Sequence, residues 1–166
     1  MVELARDQNP RVKNLAEIFL ADLCSEEQRN FKTLKNTSPL LPEAGATESL
    51  ERTITKDDVE AFARLTGDTN TVHFESSDDG APPIVHGALL NGIVSSVIGT
   101  KLPGEGTIVL SQNIRFPKPC FVGDTIVVNI EITKVRKIIS CTYKVVTKRD
   151  DSVVMDGDAK LVVKKL

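Results

Sequence analysis

The sequence is poor in the aromatic residues on which nucleic acids stack. It contains no tryptophan and one tyrosine, so it lacks most of the platforms that bind single-stranded DNA or RNA. Its 21 lysines and arginines are offset by 23 aspartates and glutamates, and a net charge of −2 gives no electrostatic basis for holding a phosphate backbone. We therefore expect no nucleic-acid partner.

Cysteine is scarce, and its spacing is uninformative. Cys24, Cys120 and Cys141 are odd in number and far apart, and none belongs to a CxxC or CxxH pattern or neighbours a histidine. We expect free thiols in a reducing compartment and no zinc site. No apolar run reaches the ~18 residues that a membrane-spanning helix needs, so we expect no membrane span.

The composition changes near residue 50. A chain of 166 residues suits one domain with a sizeable core. Apolar residues keep helical spacing from Val12 to Lys35, whereas Asn36 to Ser49 concentrates Pro, Gly, Ser and Thr and is typical of a linker. The acidic residues among the first 30 positions are unlike a mitochondrial presequence. We predict a helical extension and linker over residues 1–49 and a folded domain over residues 50–166.

The stretch from Ile84 to Gly99 is apolar almost all the way round. A helix of this kind is typical of the inside of a core. Its only polar line is Gly87, Asn91 and Ser95, at four-residue spacing. Because Gly87 lies where the chain turns helical, its N–H has no acceptor within the helix and carries partial positive charge. This end either polarises an acyl carbonyl or holds an anion, or it is simply the capped end of a core helix.

The segments around this helix predict an α+β domain. Upstream, Thr55 and Asp58 have the form of a capping box, and Gly67 is placed to end the helix in a left-handed cap. Downstream, runs rich in Val and Ile between turn residues predict consecutive antiparallel strands. One sheet wrapped around one buried helix is the economical packing. The predicted strands are Leu50–Ile54, Thr107–Phe116, Thr125–Lys134, Ile138–Lys148 and Val153–Lys164.

The candidate chemical groups are few, because the chain has only two histidines. Asp68 and His73 share one short loop after the first helix, with Asn70 between them, so a carboxylate and an imidazole can converge on one water. The same residues are ordinary turn formers, and a structural role is the alternative. His86, directly before Gly87, is either a ligand or acid, or a packed residue bonded to backbone.

Four short motifs occur in order along the chain: Asp68-x-Asn70-x-x-His73, Pro83-Ile84-Val85-His86-Gly87, Phe116-x-x-Pro119 and Val122-Gly123-Asp124. Together they resemble the MaoC-like (R)-specific hydratases and dehydratases. The resemblance runs from about Leu50 to the C-terminus and is greatest to the mitochondrial hydroxyacyl-thioester dehydratases of type 2. Thr71 departs from the pattern, since the family usually has Pro there.

The resemblance implies a hot-dog fold and a hydro-lyase. Its reaction would be the reversible syn addition of water to trans-2-enoyl thioesters, giving (R)-3-hydroxyacyl thioesters in fatty acid synthesis, with no metal or redox cofactor. It implies that Asp68 and His73 are the catalytic pair and that the Gly87 N–H is the oxyanion donor. Further contacts with the substrate are expected from Asn70, Ser95 and His86.

The expected partners are an acyl thioester and a second copy of the chain. The thioester would be carried by acyl carrier protein or coenzyme A, and since both carriers are anionic we expect cations to hold them. A single sheet leaves an open edge and an open acyl slot that a partner subunit can close, which predicts a homodimer. The resemblance implies a mitochondrial location, with the cytoplasm as the alternative. The candidate carrier-binding residues are Arg115, Lys118, Arg136 and Lys137.

Two alternatives to a hydratase stay open at this point. A hot-dog acyl thioesterase shares the fold but directs water at the carbonyl carbon and releases a free thiol. A non-catalytic acyl-binding or RNA-associated module belongs to a different class, against which the net negative charge and the Asp68 and His73 pair both argue. Fold alone does not separate these functions.

Overall fold

The computed structural model describes residues 41–78 and 80–164, which form an α+β domain. The predicted helix from Val12 to Lys35 and the first five residues of the predicted linker, 36–40, lie outside the described residues. In chain order the elements are β1 (Thr47–Thr53), α1 (Lys56–Thr66), a short 3₁₀ helix (Thr71–His73), α2 (Gly87–Thr100), β2 (Thr107–Arg115), β3 (Thr125–Lys134), β4 (Ile139–Thr147) and β5 (Val153–Val163).

The five described strands form one antiparallel sheet in the order β1-β3-β4-β5-β2. The predictions for β2 to β5 are confirmed to within one residue at each end. The prediction for β1 is confirmed to within one residue at its end but was wrong at its start, because the strand begins at Thr47 and its first three residues had been given to the linker. Thr47 and Ser49 pair with Glu131 and Asn129 of β3. Such partners are distant in sequence, and local composition does not reveal them.

Helix α1 begins and ends at the residues that the sequence predicts. The Asp58 N–H donates to the Thr55 hydroxyl at 3.2 Å, and the Thr55 N–H donates to the Asp58 carboxylate at 2.9 Å. The Thr55 N–H, together with Arg52 at 2.6 Å, holds the pKa of Asp58 below its ordinary value. Gly67 closes the helix with a left-handed φ of 79°. This cap sets the direction in which the chain leaves toward Asp68.

Helix α2 begins at Gly87, where the sequence predicts that the chain turns helical. The expectation of a helix buried almost all the way round was wrong, because only one face is buried and Ala88, Gly92, Ser95, Ser96 and Thr100 are exposed. Ile84 and Val85, which precede the N-cap residue His86, use their backbone to pair with other segments. The Ile84 N–H donates to the Val72 carbonyl at 2.9 Å, and the Val85 N–H donates to the Cys120 carbonyl at 2.8 Å. These bonds hold the start of α2 against the loop that carries Asp68 and His73. The buried residues of α2 are Leu90, Ile93, Val94, Val97 and Ile98.

The two described cysteines lie in the apolar core and are not paired. Burial raises the pKa of the Cys120 thiol to about 12 and that of the Cys141 thiol to about 11. Both stay protonated near neutral pH and are poor nucleophiles. The prediction of free thiols is confirmed for this pair, and Cys24 lies outside the described residues.

One of the four motifs has a structural role. Asp124 is buried at the turn before β3, where its carboxylate accepts the Phe121 N–H at 2.9 Å and the Arg149 Nε–H at 3.0 Å. Its carbonyl accepts the Ile54 N–H at 2.9 Å, and Gly123 has a φ of 95°, which favours glycine. The Val122-Gly123-Asp124 motif therefore fixes where β3 begins.

No helix in the described ranges is both long and apolar enough to cross a bilayer.

Candidate active site

The loop after α1 is shaped by its own side chains. The Asp68 carboxylate accepts the Asn70 N–H at 3.3 Å, and the Asn70 side-chain oxygen accepts the Val72 N–H at 3.4 Å. Asn70 thereby caps the short 3₁₀ helix that ends at His73. These bonds turn the chain so that the side chains of Asp68 and His73 face each other.

The hydrogen bonds of His73 determine its neutral tautomer. Its Nδ1 lies 2.7 Å from the Ile84 carbonyl oxygen, which can only accept, so Nδ1 carries the hydrogen and Nε2 carries a lone pair. The Nε2 lies 3.9 Å from Asp68 Oδ2. This gap is too long for a hydrogen bond but suits one bridging water. Since the Asp68 side chain is 49% exposed and that of His73 is 12% exposed, water can reach the pair.

His86 is packed against this pair and is only 2% exposed. Its Nε2 donates to the Asp68 carbonyl at 3.3 Å and lies 4.0 Å from Asp68 Oδ2. Its ring stacks on that of His73, with centroids 3.6 Å apart and planes inclined by 24°. Of the two interpretations left open by the sequence, this position matches the packed residue bonded to backbone.

The N-terminus of α2 is open next to His86. Neither the Gly87 nor the Ala88 N–H has an acceptor among the described residues, and the His86 side chain does not cap the helix. The Phe116 ring lies against Gly87, where a Cβ atom would meet its Cζ at 2.8 Å. Phe116 is thus a site residue that the sequence analysis did not single out. Its place in the third motif was the available signal.

The other residues on the polar line of α2 lie farther from the pair. Asn91 Nδ2 donates to Gln112 Oε1 at 3.3 Å, which leaves Asn91 Oδ1 and Gln112 Nε2 buried and without a partner in the described part of the chain. Ser95 is exposed, two turns or about 12 Å along the helix from Gly87. The structure therefore does not bring Ser95 to Asp68 and His73.

Asp68, His73 and His86 are also close enough to be considered as metal ligands, since one ligand atom from each lies within 4.8 Å of the others. His86 Nε2, however, donates its hydrogen to the Asp68 carbonyl, and a nitrogen that carries a hydrogen offers no lone pair to a metal. This geometry suits a water molecule better than a metal ion.

The four candidate carrier-binding cations lie at two ends of the sheet. Arg115 and Lys118 flank Phe116, where Arg115 pairs with Asp156 at 2.7 Å and Lys118 donates to the Ser152 hydroxyl at 2.9 Å. The Asp156 carboxylate raises the pKa of Arg115 above its ordinary value.

The other two cations, Arg136 and Lys137, lie in the turn between β3 and β4. That turn comes just before Ile139 of β4. Ile139 pairs with Leu161 of β5, which in turn pairs with Val109 of β2, and Val109 is six residues from Arg115 along β2. At about 3.3 Å per residue the two groups are roughly 20 Å apart. One copy of the chain therefore does not bring all four cations into a single patch, contrary to the grouping that the sequence suggests.

The sequence and the structure are similar to those of characterised proteins. Residues 39–155 match the MaoC like domain. The 3-hydroxybutyryl-CoA dehydratase of Methylorubrum extorquens is 36% identical over 132 residues, covering 74% of this chain and 82% of that protein. The mitochondrial 3-hydroxyacyl-acyl-carrier-protein dehydratase of Solanum lycopersicum is 28% identical over 144 residues, covering 82% and 86%.

A solved structure has the same arrangement of elements. The (R)-hydratase from Aeromonas caviae involved in PHA biosynthesis superposes with a TM-score of 0.69 and 31% identity. The similarity covers 74% of this chain and 98% of that one.

Proposed function

Since the chain belongs to the family of MaoC-like domains, we propose that it catalyses the reversible syn hydration of trans-2-enoyl thioesters to (R)-3-hydroxyacyl thioesters. Its fold is the hot-dog fold and its class is that of the hydro-lyases. The observation that carries the proposal is the 3.9 Å gap between Asp68 Oδ2 and His73 Nε2, close to an open helix N-terminus.

We assign the acid and base chemistry to the Asp68 and His73 side chains on either side of this gap. Asp68 and His73 hold one water; as its oxygen attacks C3, the pair removes one proton from the water and returns one proton to C2. In the reverse direction the pair removes the C2 proton and protonates the leaving 3-hydroxyl. Because water and proton meet the substrate from the same side, addition is syn.

The negative charge that develops on the thioester oxygen is assigned to the N-terminus of α2. The free Gly87 N–H and the aligned peptide dipoles of the helix stabilise an enolate-like oxyanion there. The apolar residues of α2 and of the facing sheet form the slot for the acyl chain.

The direct test is an assay of the purified full chain with a trans-2-enoyl-CoA. We expect loss of the ultraviolet absorbance of the conjugated enoyl thioester and, by chiral chromatography, the (R)-3-hydroxyacyl product. Release of free thiol in place of hydration would support the thioesterase alternative. An (S) product would contradict the proposed (R) specificity.

We propose that coenzyme A or acyl carrier protein approaches the end of the sheet at Arg115 and Lys118, because these residues flank Phe116, which touches Gly87. Lys118→Glu is expected to raise KM about tenfold at low salt and to weaken the salt dependence of KM. The matched control is Lys137→Glu, at the other end of the sheet, which should leave KM unchanged. Equal effects of the two reversals would rule out this assignment.

We also propose a homodimer formed through β2. This strand is an edge of the sheet and exposes Ile108 (40%) and Leu110 (52%), which is unfavourable for an unpaired edge in water. Pairing with a second β2 would continue the sheet and close the acyl slot.

The dimer is tested by placing a charge on that edge. Leu110→Lys is expected to yield monomers in sedimentation velocity at micromolar concentration and to reduce hydratase activity by at least about tenfold, because both copies then lose their neighbour. Leu65→Lys, at an exposed leucine on α1, is the control and should stay dimeric. A monomeric unsubstituted protein with full activity would contradict the proposal.

A mitochondrial location is proposed as well, since a relative from Solanum lycopersicum is named as mitochondrial. The cytoplasm is the alternative. Fractionation of cells that express the full chain separates the two.

A further inference from the structure

We infer that His86 is a positioning residue of the hydration reaction, which fixes Asp68 and His73 relative to each other and to the N-terminus of α2. The inference rests on the proposed function, because it concerns the same site. It also replaces the expectation that His86 contacts substrate, since a side chain that is 2% exposed offers no surface for that contact.

The first role of His86 is to tie two distant segments together. Its Nε2 lies 3.3 Å from the Asp68 carbonyl and 4.0 Å from Asp68 Oδ2, and because both oxygens are acceptors Nε2 carries the hydrogen. The bond joins residue 68 to residue 86, and the next residue, Gly87, supplies the open N–H of α2. One side chain thus sets the spacing between the acid–base loop and the oxyanion donor.

The second role is to hold the plane of the His73 ring. The Ile84 carbonyl restrains one edge of that ring through Nδ1, but a single hydrogen bond leaves it free to tilt. The stack on His86 at 3.6 Å removes this freedom and keeps the Nε2 lone pair directed toward Asp68. His86 is itself confined by the rings of Phe62 at 5.0 Å and Phe74 at 6.4 Å.

Stability does not explain why this position is a histidine. His86 Nδ1 is buried with no partner in the described part of the chain, and an unpartnered buried acceptor is unfavourable. The side chain also makes no capping bond to α2. A phenyl ring would fill the space and stack on His73 without burying a polar atom. The feature that only imidazole supplies here is the donor at Nε2.

Three substitutions separate the two roles. His86→Gln keeps an N–H at the level of Nε2, His86→Asn is equally polar but places its amide near Nδ1, and His86→Phe keeps the stack without a donor. For enoyl-CoA hydration we expect kcat to fall about 10²-fold in the Asn and Phe variants with KM unchanged, because the pair is misplaced while binding is not. The Gln variant keeps the donor but loses the stack, so it should recover only part of the lost kcat, about tenfold.

The outcomes are distinguishable from failure of the proposed function. An unsubstituted protein that hydrates no enoyl thioester overturns the proposed function. If the unsubstituted protein is active and its Asn and Phe variants keep full kcat, or change only in KM, the inference about His86 is overturned while the proposed function stands. Thermal melting of each variant separates lost positioning from lost folding, since a fall in activity that matches the unfolded fraction also overturns it.

A second measurement does not depend on activity. The full chain contains only two histidines, so a long-range ¹H–¹⁵N spectrum, recorded at a pH at which both imidazoles are neutral, reports the two rings without overlap. We expect opposite tautomers, with the hydrogen on Nδ1 of His73 and on Nε2 of His86. Two rings with the same tautomer would overturn the inference.

Discussion

Asp68→Asn and His73→Gln are each expected to lower kcat for enoyl-thioester hydration by about 10²- to 10⁴-fold. Each change removes one of the two groups that hold the attacking water, across a gap of 3.9 Å. Both replacements keep nearly the native shape, so the melting temperature should change little. Steady-state kinetics beside thermal melting of the same samples separates the chemical effect from a structural one.

The double substitution provides a sharper test of the shared water. If one water serves both groups, removal of either already displaces it, and the double variant should be scarcely slower than the poorer single variant. Effects that multiply would indicate two independent groups. Asp78→Asn is the control, because this exposed carboxylate is close in sequence but no part of the pair. If either single variant turns over at nearly the rate of the unsubstituted protein, the loop from Asp68 to His73 is an ordinary turn without a catalytic role.

The second large effect is expected from Gly87→Pro compared with Gly87→Ala. Proline removes the proposed oxyanion donor, and it is tolerated at the first residue of a helix, where the N–H has no partner within the helix. The preceding residue, His86, has φ −55° and ψ 126°, a conformation that proline accepts. We expect kcat of the proline variant to be about 10²- to 10³-fold below that of the alanine variant.

The alanine variant is the necessary reference because any Cβ at this position meets Phe116 at 2.8 Å. To a first approximation both variants displace the Phe116 ring equally, and only proline also removes the N–H. The comparison is made by kcat at saturating enoyl-CoA, with helix content checked by circular dichroism. Equal rates in the two variants would show that Gly87 is required for the fit of Phe116 alone.

Features that depend on neighbouring residues were predictable from the sequence. The capping box of Thr55 and Asp58, the cap at Gly67 and the loop from Asp68 to His73 each form within a few positions. The apolar pattern of α2 and the strands β2 to β5 likewise follow from local periodicity. The fold family and the role of the loop came from the resemblance of four motifs, not from periodicity.

Features that depend on distant partners were not predictable. His86 reaches Asp68 across 18 positions, and nothing in either segment indicates that the two histidines stack. The contact of Phe116 with Gly87 joins the end of β2 to the start of α2. The separation of Arg115 from Lys137 follows only from the strand order and pairing, which put the end of β2 and the turn between β3 and β4 at opposite ends of one sheet.

The strand order also has a consequence for synthesis on the ribosome. Among the described strands, β2 pairs only with β5, so residues 107–115 stay unpaired until residues 153–163 have left the exit tunnel. The bonds within the loop from Asp68 to His73, by contrast, join residues at most five positions apart and need no later segment. A nascent chain stalled before residue 153 would expose Ile108 and Leu110 on an unfinished β-rich surface, the kind of species that molecular chaperones bind.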